Sequence, residues 1–113
     1  MNFNGMMKDG TLQDKVILIT GGGTGLGKSM GAYFMELGAN LIITSRKQEV
    51  LDKTAEEFSK YTGEVFPITG DVRDHKDVQN VIDKSLEKFG KVDGLLNNAA
   101  GNFISPTERL TPK

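Results

Sequence analysis

One stretch constrains this chain more than any other: Thr20-Gly-Gly-Gly-Thr-Gly-Leu-Gly27. It follows a β-branched run, Lys15-Val-Ile-Leu-Ile-Thr20, which reads as a short buried strand. Beyond it, Leu26, Met30, Phe34 and Leu37 recur at helical spacing, and Gly38 closes the series. A glycine turn between a strand and a helix lets a phosphate approach the main chain, where side chains would block it. The helix start adds N–H donors without partners and roughly half a positive charge. Phosphate binding is predicted, but not which phosphate.

The rest of the chain repeats the same alternation. Asn40 to Thr44 reads as a second strand, and Val50, Leu51, Ala55, Phe58 and Tyr61 mark a helix closed by Gly63. Glu64 to Thr69 is a third strand, and Pro67 places it at a sheet edge because proline cannot donate to a ladder. Asp74 and Asp77 have capping-box spacing, with aspartate in place of the usual Glu or Gln, ahead of Val78, Val81, Ile82, Leu86 and Phe89. Val92 to Asn97 is a fourth strand. Strands alternating with helices over short links imply an α/β fold: a doubly wound parallel sheet with right-handed crossovers and strand order 3-2-1-4.

Residues 1–14 read as a polar lead-in to a single domain, and 113 residues leave no room for a second. Ser105-Pro-Thr-Glu108 carries the signals of a helix start, and Thr111-Pro112 suggests another one residue before the end. Strand four would be left at an uncovered edge, so a truncated domain is expected over 1–113. A formal charge of −1 gives no electrostatic case for nucleic acid or an anionic membrane. The absence of cysteine excludes disulfides, thiolate metal sites and a cysteine nucleophile. No apolar run approaches a membrane span, and Met1 to Gly10 lacks the marks of a signal or transit peptide, so a cytoplasmic location is expected.

The glycine loop admits two readings. Gly22-x-x-x-x-Gly27-Lys28-Ser29 matches the nucleoside-triphosphate loop pattern, in which Lys28 would take the terminal phosphates and Ser29 a magnesium ion. That chemistry also needs a carboxylate at the end of another apolar strand. Strands two and four end instead in Ser45-Arg46 and Asn97-Asn98, and Asp71 follows Thr69-Gly70. The second reading takes the same loop as Thr-Gly-x-x-x-Gly-x-Gly, with Asp71-Val72 after strand three and Asn97-Asn-Ala-Ala-Gly101 after strand four.

In that combination and order the chain resembles the short-chain dehydrogenases/reductases, from Leu12 onward. The resemblance implies a Rossmann-like NAD(P)-binding domain. Its cofactor residues would be Thr20, Gly21, Gly22, Gly23, Thr24, Gly25, Leu26, Gly27, Ser45, Arg46, Asp71, Val72, Asn98, Ala99, Ala100 and Gly101, with Asp71 binding the adenine amino group. An NAD-specific enzyme places a carboxylate at the end of strand two to accept from the ribose 2′-hydroxyl. Ser45-Arg46-Lys47 stands there instead, and a guanidinium can hold a 2′-phosphate in a fork. Such a charge-assisted bond is worth roughly 1.5–3 kcal/mol, or about a ten- to hundred-fold preference for NADP(H).

The segment Asn97-Asn-Ala-Ala-Gly-Asn-Phe-Ile-Ser-Pro-Thr-Glu-Arg-Leu110 is similar, more narrowly, to 2,4-dienoyl-CoA reductases of the mitochondrial and bacterial short-chain type. The resemblance implies NADPH-dependent reduction of a 2,4-dienoyl-CoA to a trans-3-enoyl-CoA in β-oxidation of unsaturated fatty acids. Hydride addition pushes charge onto the thioester oxygen, which fixed donors must receive. Asn102 would be one donor, Phe103 would contact the acyl-CoA, and Arg73 and Thr111 would help hold it, with Arg46 near both ligands. The plainer alternatives are a turn for Asn102, a core position for Phe103 and a solvated loop for Arg73.

The family's Tyr-x-x-x-Lys is absent: Leu37 follows Tyr33 and Val65 follows Tyr61 at that spacing. Both tyrosines are expected to pack, and His75 to sit exposed at a helix start. The chain alone is therefore expected to be inactive, and its parent to be a homo-oligomer, a tetramer by family resemblance. A 3-oxoacyl- or enoyl-thioester reductase, a P-loop NTPase and a binding module without catalysis are the competing readings.

Overall fold

A computed structural model of the chain describes residues 12–21, 25–98 and the backbone of 104–106. The elements run β1 (Val16–Thr20), α1 (Gly25–Glu36), β2 (Asn40–Ser45), α2 (Gln48–Phe58), β3 (Val65–Thr69), α3 (His75–Phe89), β4 (Gly94–Asn97) and β5 (Ile104–Pro106). They form one sheet in the order β3-β2-β1-β4-β5. The first four strands are parallel, with Thr20 opposite Thr44 on one side and Asn97 on the other. The expected 3-2-1-4 order is what the chain adopts, and Pro67 lies on the edge strand.

Alternation along β1 and β2 sends side chains to two separate cores. Ile17, Ile19, Leu41 and Ile43 pack with Phe34, Met35, Leu51 and Phe58 from α1 and α2. Val16, Leu18 and Ile42 face the other way, with Ile68 and with Val81 of α3. A strand buried on both faces must be apolar throughout, which is why β1 reads as an unbroken run. Each Val, Leu or Ile fully removed from water contributes about 1.5–3 kcal/mol relative to exposure.

Four expectations need correction. Ser105 and Pro106 do not start a helix; they belong to β5, which runs antiparallel to β4 with Gly94 opposite Pro106. The open edge of β4 has main-chain groups to satisfy, and pairing outweighs the local capping signal. The fourth strand begins at Gly94 rather than Val92, because Asp93 carries that contact differently. Its main-chain N–H donates to Val16 O at 2.7 Å, while its carboxylate Oδ2 accepts from Val16 N at 2.8 Å.

The helix expected from Val50 to Tyr61 spans Gln48–Phe58, and Tyr61 lies beyond it, stacked edge-on against Phe58 at 6.0 Å. Finally, Leu26 is not part of the buried face of α1; it is 53% exposed. That face is made by Gly27, Gly31, Phe34 and Met35. A Cβ on Gly31 would lie 3.1 Å from the side chains of both Leu41 and Phe58, so the middle of α1 packs tightly against β2 and α2.

Candidate functional site

The carboxyl ends of β1, β2, β3 and β4 converge on one edge of the sheet, and loops leaving them build the site. Thr20 Oγ1 donates to Asn97 Oδ1 at 2.9 Å, joining the last residues of β1 and β4. One residue on, Asn98 Nδ2 donates to Gly21 O at 3.2 Å. Gly21 takes φ +68°, a left-handed conformation that glycine adopts without strain. Its N–H donates to Thr44 O at 2.8 Å, so Gly21 extends the ladder by one bond.

The first turn of α1 sits directly over this joint. A Cβ on Gly27 would stand 2.6 Å from Gly21 O and 2.7 Å from Asn98 Nδ2, closer than any side chain tolerates. Gly25, Leu26 and Gly27 thus bring their main-chain amides to the sheet edge, where a helix's first N–H groups have no intrahelical partner. The only side chain among the three, Leu26, points to solvent. This is a cradle suited to an anion.

Beside it lies a cavity of about 300 Å³ whose walls include Gly21, Ser45, Arg46, Asp71, Val72 and Arg73. The Asp71 carboxylate is held by Arg73 in a fork, with Nε to Oδ1 at 3.1 Å and Nη2 to Oδ2 at 3.0 Å. The Arg73 main-chain N–H adds a third bond to Oδ1 at 2.9 Å. These hydrogen bonds, side chain first, hold the Asp71 pKa down at about 2, and the same pair raises that of Arg73. Arg73 is thereby neutralised. Arg46, exposed just after β2, makes no ion pair among the described residues; its charge acts on Asp71 only as a lesser cause of the lowered pKa, behind the Arg73 bonds.

A second cavity, of about 220 Å³, lies under the first between the sheet and α3, and Leu18, Val78, Val81, Ile82 and Leu95 make it mostly apolar. Thr44, Gly70, Asp71 and Val72 border both. Thr44 Oγ1 is buried there without a hydrogen-bond partner among the described residues. An orphan hydroxyl costs about 1–3 kcal/mol, so a polar partner from outside would be favoured at that wall. No local signal announces it: a threonine inside a β-branched strand reads as packing.

Lys28 does not face this cavity. It pairs with Glu57 in the last turn of α2, which lowers the Glu57 pKa through the hydrogen bond first and the lysine charge after it. Among the described residues there is no cluster of His, Cys, Asp or Glu able to hold a metal, and no helix is long and apolar enough to cross a membrane. Tyr33 and Tyr61 pack against the α1–α2 core, and His75 is exposed at the start of α3, as expected.

Of the expected site residues, Thr20, Gly21, Gly25, Leu26, Gly27, Ser45, Arg46, Asp71, Val72, Arg73 and Asn98 stand together along the sheet edge. Gly22, Gly23, Thr24, Ala99, Ala100, Gly101, Asn102, Phe103 and Thr111 lie outside the described residues. The arrangement offers main-chain donors for a diphosphate, a cation for a further phosphate and carboxylate and hydroxyl acceptors for a base or ribose. The close seating of α1 on the sheet at Gly27, which sets the helix's first amides at this end of the sheet, and an orphan hydroxyl at the cavity wall both fit a dinucleotide.

Comparison with known proteins points the same way. The family model described as short chain dehydrogenase matches residues 15–113. A probable 2,4-dienoyl-CoA reductase of Caenorhabditis elegans, named as (3E)-enoyl-CoA-producing, is 50% identical over 109 residues, covering 95% of this chain and 35% of that protein. A probable 2,4-dienoyl-CoA reductase of Bacillus subtilis (strain 168), named as (2E)-enoyl-CoA-producing, is 41% identical over 101 residues, covering 89% of this chain and 40% of its own. Among solved structures, a 3-ketoacyl-(acyl-carrier-protein) reductase from Brucella melitensis complexed with NADH superposes with TM-score 0.69 at 35% identity, over 75% of this chain and 34% of that one. The chain thus spans 35–40% of the length of these two curated relatives.

Proposed function

The chain belongs to the short chain dehydrogenase family, and on that premise we propose that it is the nucleotide-binding part of an NADPH-dependent 2,4-dienoyl-CoA reductase. One observation carries the cofactor choice: the end of β2 presents Arg46 without an ion partner among the described residues and without a carboxylate. A 2′-phosphate would neutralise that charge, whereas a ribose hydroxyl would leave it exposed. The diphosphate rests on the amides at the start of α1, and Asp71 and Val72 receive the adenine. Lys28, tied to Glu57, speaks against a nucleoside triphosphate on the same loop.

When bound, the reduced nicotinamide supplies a hydride to the conjugated thioester. By the family resemblance Asn102 would donate to the thioester oxygen, where charge gathers, and Phe103 and Thr111 would contact the acyl-CoA. Arg73 uses Nε and one Nη2 hydrogen on Asp71, leaving its remaining guanidinium donors for phosphates of the CoA portion. The trans-3-enoyl product follows from the dienoyl-CoA reading and agrees with the name of the nematode relative. The chain holds no Tyr-x-x-x-Lys, so its role is to bind and orient, and no turnover is expected from it alone.

The test is an assay of the intact protein with NADPH on a 2,4-dienoyl-CoA and on a 3-oxoacyl-CoA, with the product's double bond located by NMR. Reduction of the dienoyl thioester to the trans-3-enoyl thioester is expected. Turnover of the 3-oxoacyl thioester alone would transfer the chain to the family's ketoreductases.

A further inference from the structure

Asp77 was expected to close a capping box with Asp74, and it does not. The Asp74 main-chain N–H donates instead to Asp71 O at 2.9 Å, and Asp74's own carboxylate caps Lys76 N at 2.9 Å. Asp77 Oδ2 reaches past both to accept from the Asp71 main-chain N–H at 2.9 Å. We propose that Asp77 is a positioning residue for the nucleotide base, holding the Asp71 main chain while Arg73 holds the Asp71 side chain. This rests on the reading that Asp71 receives the adenine amino group.

The geometry makes Asp71 a fixed acceptor. Its N–H is anchored to the first turn of α3, its carbonyl oxygen accepts from Asp74 N, and its Oδ1 accepts both the Arg73 N–H and Nε. Oδ2 accepts only from Arg73 Nη2. A carboxylate oxygen has two lone pairs, so Oδ2 keeps one acceptor site open while its direction is already set. A fixed, ionised acceptor favours a base carrying an exocyclic amino group and rejects one carrying a carbonyl at the same place, because two acceptors repel. Loosening the main chain at Asp71 would let the carboxylate turn away from the wrong base and lose that discrimination. Asp77 therefore acts on base selectivity through Asp71, without touching the nucleotide.

The experiment compares binding of NADPH and its 6-deamino (hypoxanthine) analogue to the intact protein by calorimetry, in the native form and in D77S and D77N. Serine keeps a helix-start oxygen but is too short to reach Asp71; asparagine keeps an acceptor oxygen at the right distance and loses the charge. The native protein is expected to prefer the amino form by about ten-fold. D77N should retain the preference, D77S should reduce it to within about two-fold of unity, and the Asp71 amide proton should exchange faster in D77S alone. Equal preference in D77S and native protein would overturn the role of Asp77, and so would loss of preference in a folded D77N. Should D77S fail to fold, D77N and the native amide exchange still decide: an unprotected Asp71 amide in native protein overturns the proposal. No preference in the native protein would instead overturn the reading of Asp71 itself.

Discussion

Asn98 Nδ2 donates to Gly21 O at 3.2 Å, and that single bond ties the end of β4 to the first residue of the glycine loop. Gly21 is thereby held on two sides, since its N–H donates to Thr44 O at the end of β2. Gly21 is positioned by its neighbours on the sheet. Replacing Asn98 by alanine should leave Gly21 O without its donor and destabilise the fold by about 1–3 kcal/mol. Urea unfolding monitored by circular dichroism measures this, and NADPH affinity should fall in parallel.

Gly27→Ala probes the same joint from the helix side. The added methyl group would meet Gly21 O at 2.6 Å and Asn98 Nδ2 at 2.7 Å, and one of these is main chain that cannot swing aside. The helix start must move off the sheet, at a cost of about 1–3 kcal/mol. Thermal unfolding should show the loss, and dinucleotide binding should weaken more than stability alone explains.

Lys28→Ala separates the two readings of the glycine loop. The pair with Glu57 joins side chains that are 35% and 41% exposed, so removing it should change stability by about 0–1 kcal/mol. NADPH affinity should stay within about two-fold of native. A loss of a hundred-fold or more in nucleotide affinity would place the lysine on phosphate.

Asp71 offers a pH signature. Its pKa is depressed to about 2 from the ordinary 3.8, chiefly by the side-chain hydrogen bonds of Arg73. A carboxylate whose pKa falls on folding contributes stability that is present above the unfolded value and lost as pH drops through the folded one. The window is therefore about pH 4 down to 2, and at neutral pH the carboxylate is fully ionised. Carboxyl-carbon NMR should give a midpoint near 2 in native protein, and Arg73→Ala should return it toward 3.8.

Much of this architecture could be read from spacing alone. The order of the first four strands follows from alternating periodicities and short links, and Pro67 marked the edge strand. The strand–glycine–helix order and the place of Arg46 directly after β2 were legible because both follow from the local periodicity. What stayed hidden depends on partners distant in sequence. Asp77 reaches Asp71 instead of Asp74 only because the loop after β3 folds back on α3. Ile104 to Pro106 pair with β4 because that edge lies open, which no local signal in Ser105-Pro106 announces. The glycine stripe of Gly27 and Gly31 escaped the hydrophobic pattern because glycine carries no side chain to count, yet it sets how closely α1 meets the sheet.

If a dinucleotide lies along this end of the sheet, its 2′-phosphate falls on Arg46. Calorimetric titration of the intact protein with NADPH, NADH and Mg-ATP, repeated in Arg46→Ala, decides whether it does. NADPH should bind about ten- to hundred-fold tighter than NADH, the preference should disappear in the variant, and Mg-ATP should not bind. Equal affinity for the two dinucleotides in native protein, or Mg-ATP binding that depends on Lys28, would contradict it.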